Sequence, residues 1–362
     1  MFLFIVSCTK EEANTILSCE NSLYNWKIET ISLRNGIQKQ NDVYFASEKV
    51  GFSVGNAGSI MKTDNGGENW EILEFNYLPE TGFNPNSLTS ANLETAFFID
   101  DLIGYIGGEG VKLSIDSTEN KDAVFLITNN GGSSWNKTYL KGVEKVHDLK
   151  FSNISSGVGL FSLKGSNEIK LFMTEDAGIN WNEIELPVYK IATRKFIDSE
   201  DAIIVIGEDE NFISKILISL DDGRTWEVKS VNQEICNNFY FINDKVGFAS
   251  CKSSHLPTNN FKTIDGGDSW QRTESPYNVF SIIHFSSIDE GFIINPKIEY
   301  EGGAGNLYPI IRSYEYNQTN DGGNNWDKIE INENCNLIGV THSPSKEHFF
   351  SIGITANKFM LE

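Results

Sequence analysis

Six places where an acid or its amide recurs in one fixed setting are the first candidates for chemistry in this sequence. The setting is Ser/Thr-x-Asp/Asn-x-Gly-x-x-Trp: TDNGGENW at 63–70, TNNGGSSW at 128–135, TEDAGINW at 174–181, SLDDGRTW at 219–226, TIDGGDSW at 263–270 and TNDGGNNW at 319–326. A carboxylate or amide two residues after a hydroxyl and two before a glycine is turn chemistry. Its oxygen accepts from nearby backbone N–H groups, the glycine takes a φ that side chains resist, and the Trp tucks its ring under the turn while the indole N–H seeks an acceptor. Thr63, Asn65, Gly67 and Trp70 fill these roles in the first octapeptide. Asn130, Gly132 and Trp135, then Asp176, Gly178 and Trp181, fill them in the second and third. Asp221, Gly223 and Trp226, Asp265, Gly267 and Trp270, and Asp321, Gly323 and Trp326 follow in the last three.

The segments before each octapeptide repeat as well, as in VYFASEKVGFSVG at 43–55, AFFIDDLIGYIGG at 96–108 and FYFINDKVGFASC at 239–251. A Phe recurs at Phe45, Phe98, Phe151, Phe196, Phe241 and Phe285. Six residues after each stands a small residue: Gly51, Gly104, Gly157, Ala202, Gly247 and Gly291. Each such segment reads as a β-hairpin, and no segment keeps a helical period. With the strand entering the octapeptide and the strand leaving it, each unit holds four strands, A to D, and the octapeptide is the C–D turn.

These octapeptides match the Asp-box, or BNR, repeat of sialidases, xyloglucanases, sortilin-like receptors and many bacterial propellers. The resemblance implies that the box is structural and that its acids are not catalytic. It also implies an all-β fold, a β-propeller of four-stranded blades. Six of the seven Trp residues lie in boxes. Trp26 precedes Trp70 by the interval that separates Trp226 from Trp270, so it takes the place of a seventh box Trp. After the last box, 337–343, 348–354 and 357–362 read as strands A, B and C. The expectation is a seven-bladed β-propeller closed by an N-terminal strand D and C-terminal strands A–C, one domain over 21–362. The phrase VGFSVGNAGSIMKTDNGGENW is similar to the seven-bladed photosystem II assembly and stability factor family and its non-photosynthetic relatives, which implies a protein-binding platform. In the photosynthetic members an Arg-rich patch meets the client, and this acidic chain has no comparable Arg cluster.

Strand direction alternates within a blade, so A–B and C–D turns share one face and B–C and D–A loops the other. The long insertions at 75–92, 109–123 and 295–313 all fall on the second face. They carry Tyr77, Phe83, Tyr300, Tyr308 and Arg312, the candidate binding residues; exposed aromatics with polar neighbours suit sugar stacking and protein contact alike. The run at 116–122, DSTENKD, lacks the glycine and final Glu of a calcium loop, and the histidines show no ligand spacing, so no metal and no cofactor is expected. Cys236 and Cys251 are symmetric about Asn243-Asp244 and are the candidate disulfide.

Lys plus Arg total 29 against 50 Asp plus Glu, a net charge of −21, which disfavours nucleic acid. The opening MFLFIVSC is apolar up to Cys8 and resembles a lipoprotein signal ending in a lipobox, with Cys8 lipidated and 1–20 a signal remnant and tether. The stretch is too short to span a bilayer, so membrane contact is through the lipid anchor alone. This places the chain in the bacterial cell envelope, as an outer-membrane or surface lipoprotein. The functional expectation is a non-enzymatic platform binding a protein or glycan. The alternative is a glycoside hydrolase, sialidase-like or of another Asp-box type. Sialidases converge three arginines on their substrate; with Arg224 in a box and Arg272 after one, only Arg34, Arg194 and Arg312 remain for that role.

Overall fold

Phe45 and Gly51 face each other across the first hairpin, and so do Phe98 and Gly104, Phe151 and Gly157, Phe241 and Gly247, and Phe285 and Gly291. The six-residue spacing is thus a register. A Cβ on Gly104 would lie 2.1 Å from the Phe98 ring and one on Gly51 2.6 Å from Phe45, so the phenyl ring lies flat over the glycine. Each ring also meets its own blade's Trp edge-on, at 5.8 Å for Phe45–Trp70 and 6.1 Å for Phe241–Trp270.

The computed structural model describes residues 6–7, 18–21, 26–29, 40–67, 69–73, 91–110, 122–166, 168–197, 199, 202–251, 259–277, 281–285, 287–301, 308–329, 340–345 and 348–354, with side-chain detail for those in 40–297 and 315–328. Among them are six sheets of four antiparallel strands, each formed by consecutive strands in chain order. Blade 1 runs Gln40–Phe45, Gly51–Gly55, Ile60–Thr63 and Glu71–Ile72 as strands A to D. Blades 2 to 6 repeat that order over 93–140, 143–184, 190–230, 236–273 and 282–329. Blade 4 departs most, with a strand A of two residues, Lys190–Ile191. It is also the blade where Ala202 replaces the glycine.

The apolar core lies between blades. Phe52, Val54 and Ile60 of blade 1 pack with Ala96, Phe98, Ile106, Val124 and Leu126 of blade 2, and comparable clusters join 2 with 3, 3 with 4, 4 with 5 and 5 with 6. Each fully buried Phe or Ile contributes about 1.5–3 kcal/mol, and that contribution exists only when the neighbouring blade is in place. In blade 5, Cys236 and Cys251 sit in register across strands A and B and are bonded to one another.

Two expectations meet a different arrangement. Among the described residues six blades are complete, and of the expected seventh only part is described. Val340–Ser345 and His348–Ile354 do form an antiparallel hairpin, packed on strand A of blade 1. The strand on its open edge, however, is Val6–Ser7, paired in parallel with His348–Ile354; 357–362, the expected strand C, lies outside the described residues. Trp26–Glu29, the expected strand D, pairs with Ser18–Asn21. An unpaired edge takes whatever extended segment reaches it, and here that is a short apolar piece of the N-terminus. Secondly, the insertion at 295–313 is in large part a continuation of the blade. Strands B and C of blade 6 extend to Gly291–Glu301 and Tyr308–Thr319, against five residues for strand B in blades 1 and 2.

Candidate functional site

In the first octapeptide turn Thr63 donates its hydroxyl to Asn65 Oδ1 at 2.9 Å and accepts from Gly67 N at 2.9 Å, while Asn65 Oδ1 accepts from Asn69 N at 3.0 Å. The Trp70 indole N–H closes the turn on Gly67 O at 3.1 Å. The same bonds recur at the other five turns for the hydroxyl and the acid or amide. Trp181, Trp226 and Trp326 repeat the indole bond. Thr225 and Ser269 hydroxyls hold the Asp221 and Asp265 carboxyls down to about 2, and the Asn325 N–H does the same for Asp321. A carboxylate this committed to donors is a poor proton carrier at neutral pH.

The turns also join elements. The residue before the second glycine donates its N–H to the A–B turn of its own blade: Gly66 to Lys49 O, Gly131 to Leu102 O, Ala177 to Ser155 O, Gly266 to Lys245 O and Gly322 to Asp289 O, all at 2.8–2.9 Å. The A–B and C–D turns therefore share one face. Lysines stitch this turn face from blade to blade: Lys262 Nζ reaches Gly322 O at 2.6 Å, and Lys229 Nζ reaches Asp268 at 2.9 Å.

The inner strands carry a cluster that reading the sequence by motif missed. Three residues before the recurrent Phe stand Asp42, Thr95, Asp148 and Asn238, and each reaches the next blade. Asp42 Oδ2 accepts from Ala96 N at 3.0 Å, and Asn238 Nδ2 donates to Ser281 O at 2.8 Å. Asp148 accepts from Thr95 Oγ1 at 2.9 Å and from Phe196 N at 2.7 Å. Lys195 of blade 4 bonds Asp42 Oδ1 of blade 1 at 2.7 Å. Blades 1 and 4 are not neighbours in chain order, so this ion pair crosses the axis that the inner strands surround. Burial pushes the Asp148 carboxyl up to about 6, the Asp42 charge adding to the rise and Lys195 opposing it. Burial pushes His147 down to about 4, helped by Lys145 and Arg194, and its Nε2 lies 3.2 Å from Ser162 Oγ. All four oxygens of Asp42 and Asp148 already accept hydrogen bonds, so the cluster cross-links blades rather than presenting an acid–base pair to a substrate. A polar residue three before five of the six recurrent Phe residues was the available signal, Ile282 breaking it before Phe285; its changing type, Asp, Thr or Asn, hid it.

Of the expected binding residues, Tyr77 and Phe83 lie outside the described residues, as does Cys8. Tyr300 and Tyr308 occupy the far end of the blade 6 hairpin, with Tyr300 opposite Pro309 and Glu301 opposite Tyr308. Arg312 is the extra residue of a bulge between the Ile298–Ile311 and Lys297–Ser313 pairs. Bulges re-aim side chains and bend a strand locally. Asp122, from the run at 116–122, accepts from Gly142 N and from Lys164 at 2.8 and 2.9 Å. No cluster of metal-ligating residues is present among the described residues.

These features define a propeller of four-stranded antiparallel blades. A solved propeller, YCF48 bound to D1 peptide, is similar over 88% of this chain and 91% of that one at 16% identity, with a TM-score of 0.61. YCF48 from Cyanidioschyzon merolae is similar over 81% and 85% at 15% identity, with a TM-score of 0.53. The GH74 xyloglucanase from Xanthomonas campestris overlaps 86% of this chain and 47% of its own at 9% identity, with a TM-score of 0.47. At such identities the first two likenesses show the fold alone. No family model matches the chain, and none of the curated proteins does.

Proposed function

We propose that this chain is a non-enzymatic propeller, anchored in the bacterial envelope through a lipidated Cys8, that binds a protein or glycan on the face carrying the B–C and D–A loops. The ring has seven blades in this reading: the hairpin of Val340–Ser345 and His348–Ile354, packed on blade 1, begins the seventh. The observation that carries the functional reading is the contrast between the inner-strand carboxylates, each oxygen of which is occupied, and a loop face on which one hairpin rises well beyond its blade. A catalytic pair must present its acid and base to a substrate, and these carboxylates instead bond the next blade and the opposite one, whereas a binder needs projecting surface. The similar structure of YCF48 bound to D1 peptide supports a peptide or protein as one class of ligand.

The test is to shorten the segments at 75–92 and 295–313 and to measure retention of partners crosslinked in the native envelope. Retention should be lost with little change in melting temperature, while Asp268→Asn on the turn face leaves it intact. Loss only in the turn-face variant would refute the choice of face. For the anchor, Cys8→Ala expressed from the full native start should leave the membrane fraction; unchanged retention there would remove the lipid.

A further inference from the structure

Blade 4 exposes Tyr189 at 65%, Phe212 at 54% and Ile235 at 38% of their surface, and the backbone brings all three to one place on the loop face. Tyr189 N donates to Glu208 O at 2.9 Å, which sets Tyr189 beside the end of strand B, Ile203–Glu208. Phe212 lies in the B–C turn that follows, where Phe212 N donates to Asp209 O at 2.9 Å. Ser214 N donates to Glu234 O at 3.2 Å, and Ser214 Oγ donates to Cys236 O at 3.1 Å, which holds Ile235 on the other flank of that turn.

Phe212 has φ 63, and Asn232 and Gln233 beside Ile235 have φ 45 and 63. A left-handed φ is costly for a bulky side chain and ordinary for Gly or Asn. Asn211, one residue earlier, is the type that position favours, yet the Phe occupies it. The ring is also held in place: Lys190 Nζ lies 5.3 Å from its centroid and is ion-paired to Glu208 at 3.0 Å. A strained, braced and exposed aromatic ring is a combination that function maintains against folding stability.

We infer that Tyr189 and Phe212 form the stacking platform of a site for a neutral oligosaccharide; the inference rests on the loop-face reading above and names its ligand class. Sugar C–H faces pack on the negative faces of aromatic rings. The exposed groups around it include three amides, Asn211, Asn232 and Gln233, and an amide donates and accepts at once, as a pair of sugar hydroxyls requires. Asn232 is oriented by a bond from its Nδ2 to Trp270 O at 3.2 Å. The described cations beside the patch are already neutralised, Lys190 by Glu208 and Lys215 by Asp209, and Glu185 and Glu210 are exposed nearby, which disfavours acidic sugars.

The test is affinity electrophoresis of the full chain through gels holding dissolved galactomannan, mixed-linkage β-glucan, xylan or dextran. At least one polysaccharide should retard the wild type, and Tyr189→Ala and Phe212→Gly should each weaken that retardation at least tenfold. Phe212→Gly should at the same time melt higher than the wild type, because glycine relieves the backbone strain, so loss of binding in it is not loss of fold. No retardation by any of the four, or unchanged retardation in both variants, overturns the inference. So does a protein partner that crosslinks through Phe212 while no polysaccharide binds. If shortening 295–313 abolishes binding and these two substitutions do not, the loop-face reading stands and this site falls.

Discussion

On the turn face, the leading hydroxyl of each octapeptide and the Asp or Asn two residues on are bonded to one another within the turn, five of the turns are tied to the A–B turns beside them, and lysines tie the face to the next blade. The loop face is built from the same strands and has the opposite character. Its connections differ in length from blade to blade, Tyr189 and Phe212 stand exposed on it, and its positive-φ residues include the bulky Phe212, where the octapeptide turns have glycine, Ala177 or Asp222. A hydrogen-bond pattern repeated from turn to turn makes a surface that changes little from blade to blade. A bulky aromatic ring held exposed at positive φ is the feature of the loop face that stability alone does not favour.

The comparison breaks most easily at Trp181. Its indole N–H is bonded to Gly178 O at 3.0 Å, and its ring lies edge-on to Phe161 at 4.9 Å and to Phe125 of the previous blade at 5.8 Å. Trp181→Ala should cost about 3–5 kcal/mol in urea unfolding. A loss under about 1 kcal/mol, the scale of surface sites, would mean the turns do not hold the blades.

The inner strands give a second measure. The folded Asp148 carboxyl, at about 6, holds its proton more tightly than the ordinary 3.8 of an unfolded chain. Its contribution to stability is therefore full below 3.8 and is lost as pH rises through about 6. At ~1.4 kcal/mol per pH unit, Asp148→Asn should gain roughly 2.5 kcal/mol on the wild type between pH 4 and pH 7. Parallel unfolding curves for the two proteins across that range would remove Asp148 from the enclosed cluster.

Smaller effects sharpen the contrast. Gly104→Ala must push a methyl into the Phe98 ring and should destabilise by about 1–3 kcal/mol, whereas Ala202, in the same place in blade 4, is already tolerated there. A neutral result at Gly104 would show that the ring over the glycine gives way freely. Ala177, at φ 61 in the third turn, stands where four of the other five turns have glycine, so Ala177→Gly should stabilise by about 1 kcal/mol. Destabilisation by that change would show that the turn does not strain its backbone.

The strand plan was legible in the residues because it depends on spacing. Phe to small residue at six positions is the A–B register, and the octapeptide falls between strands C and D as its glycine and Trp required. The cross-axis contacts were not legible, since Lys195 and Asp42 are joined only by the ring itself. Phe212 gave no sign either: EDENF at 208–212 reads as an ordinary polar turn, and nothing in it shows that the left-handed position falls on the Phe and not on Asn211. The hairpin at 291–319 was obscured by Pro296 and the Gly302-Gly303 pair, which read as strand breakers although Pro296 is paired with Tyr314.

The most direct test of the division between the faces is backbone hydrogen exchange of the full chain with and without a bound partner or polysaccharide. The account predicts added protection in the loop-face segments 209–213, 231–236 and 291–319 and none in the six octapeptide turns; protection confined to the turns at 63–70, 128–135 and 174–181 would contradict it.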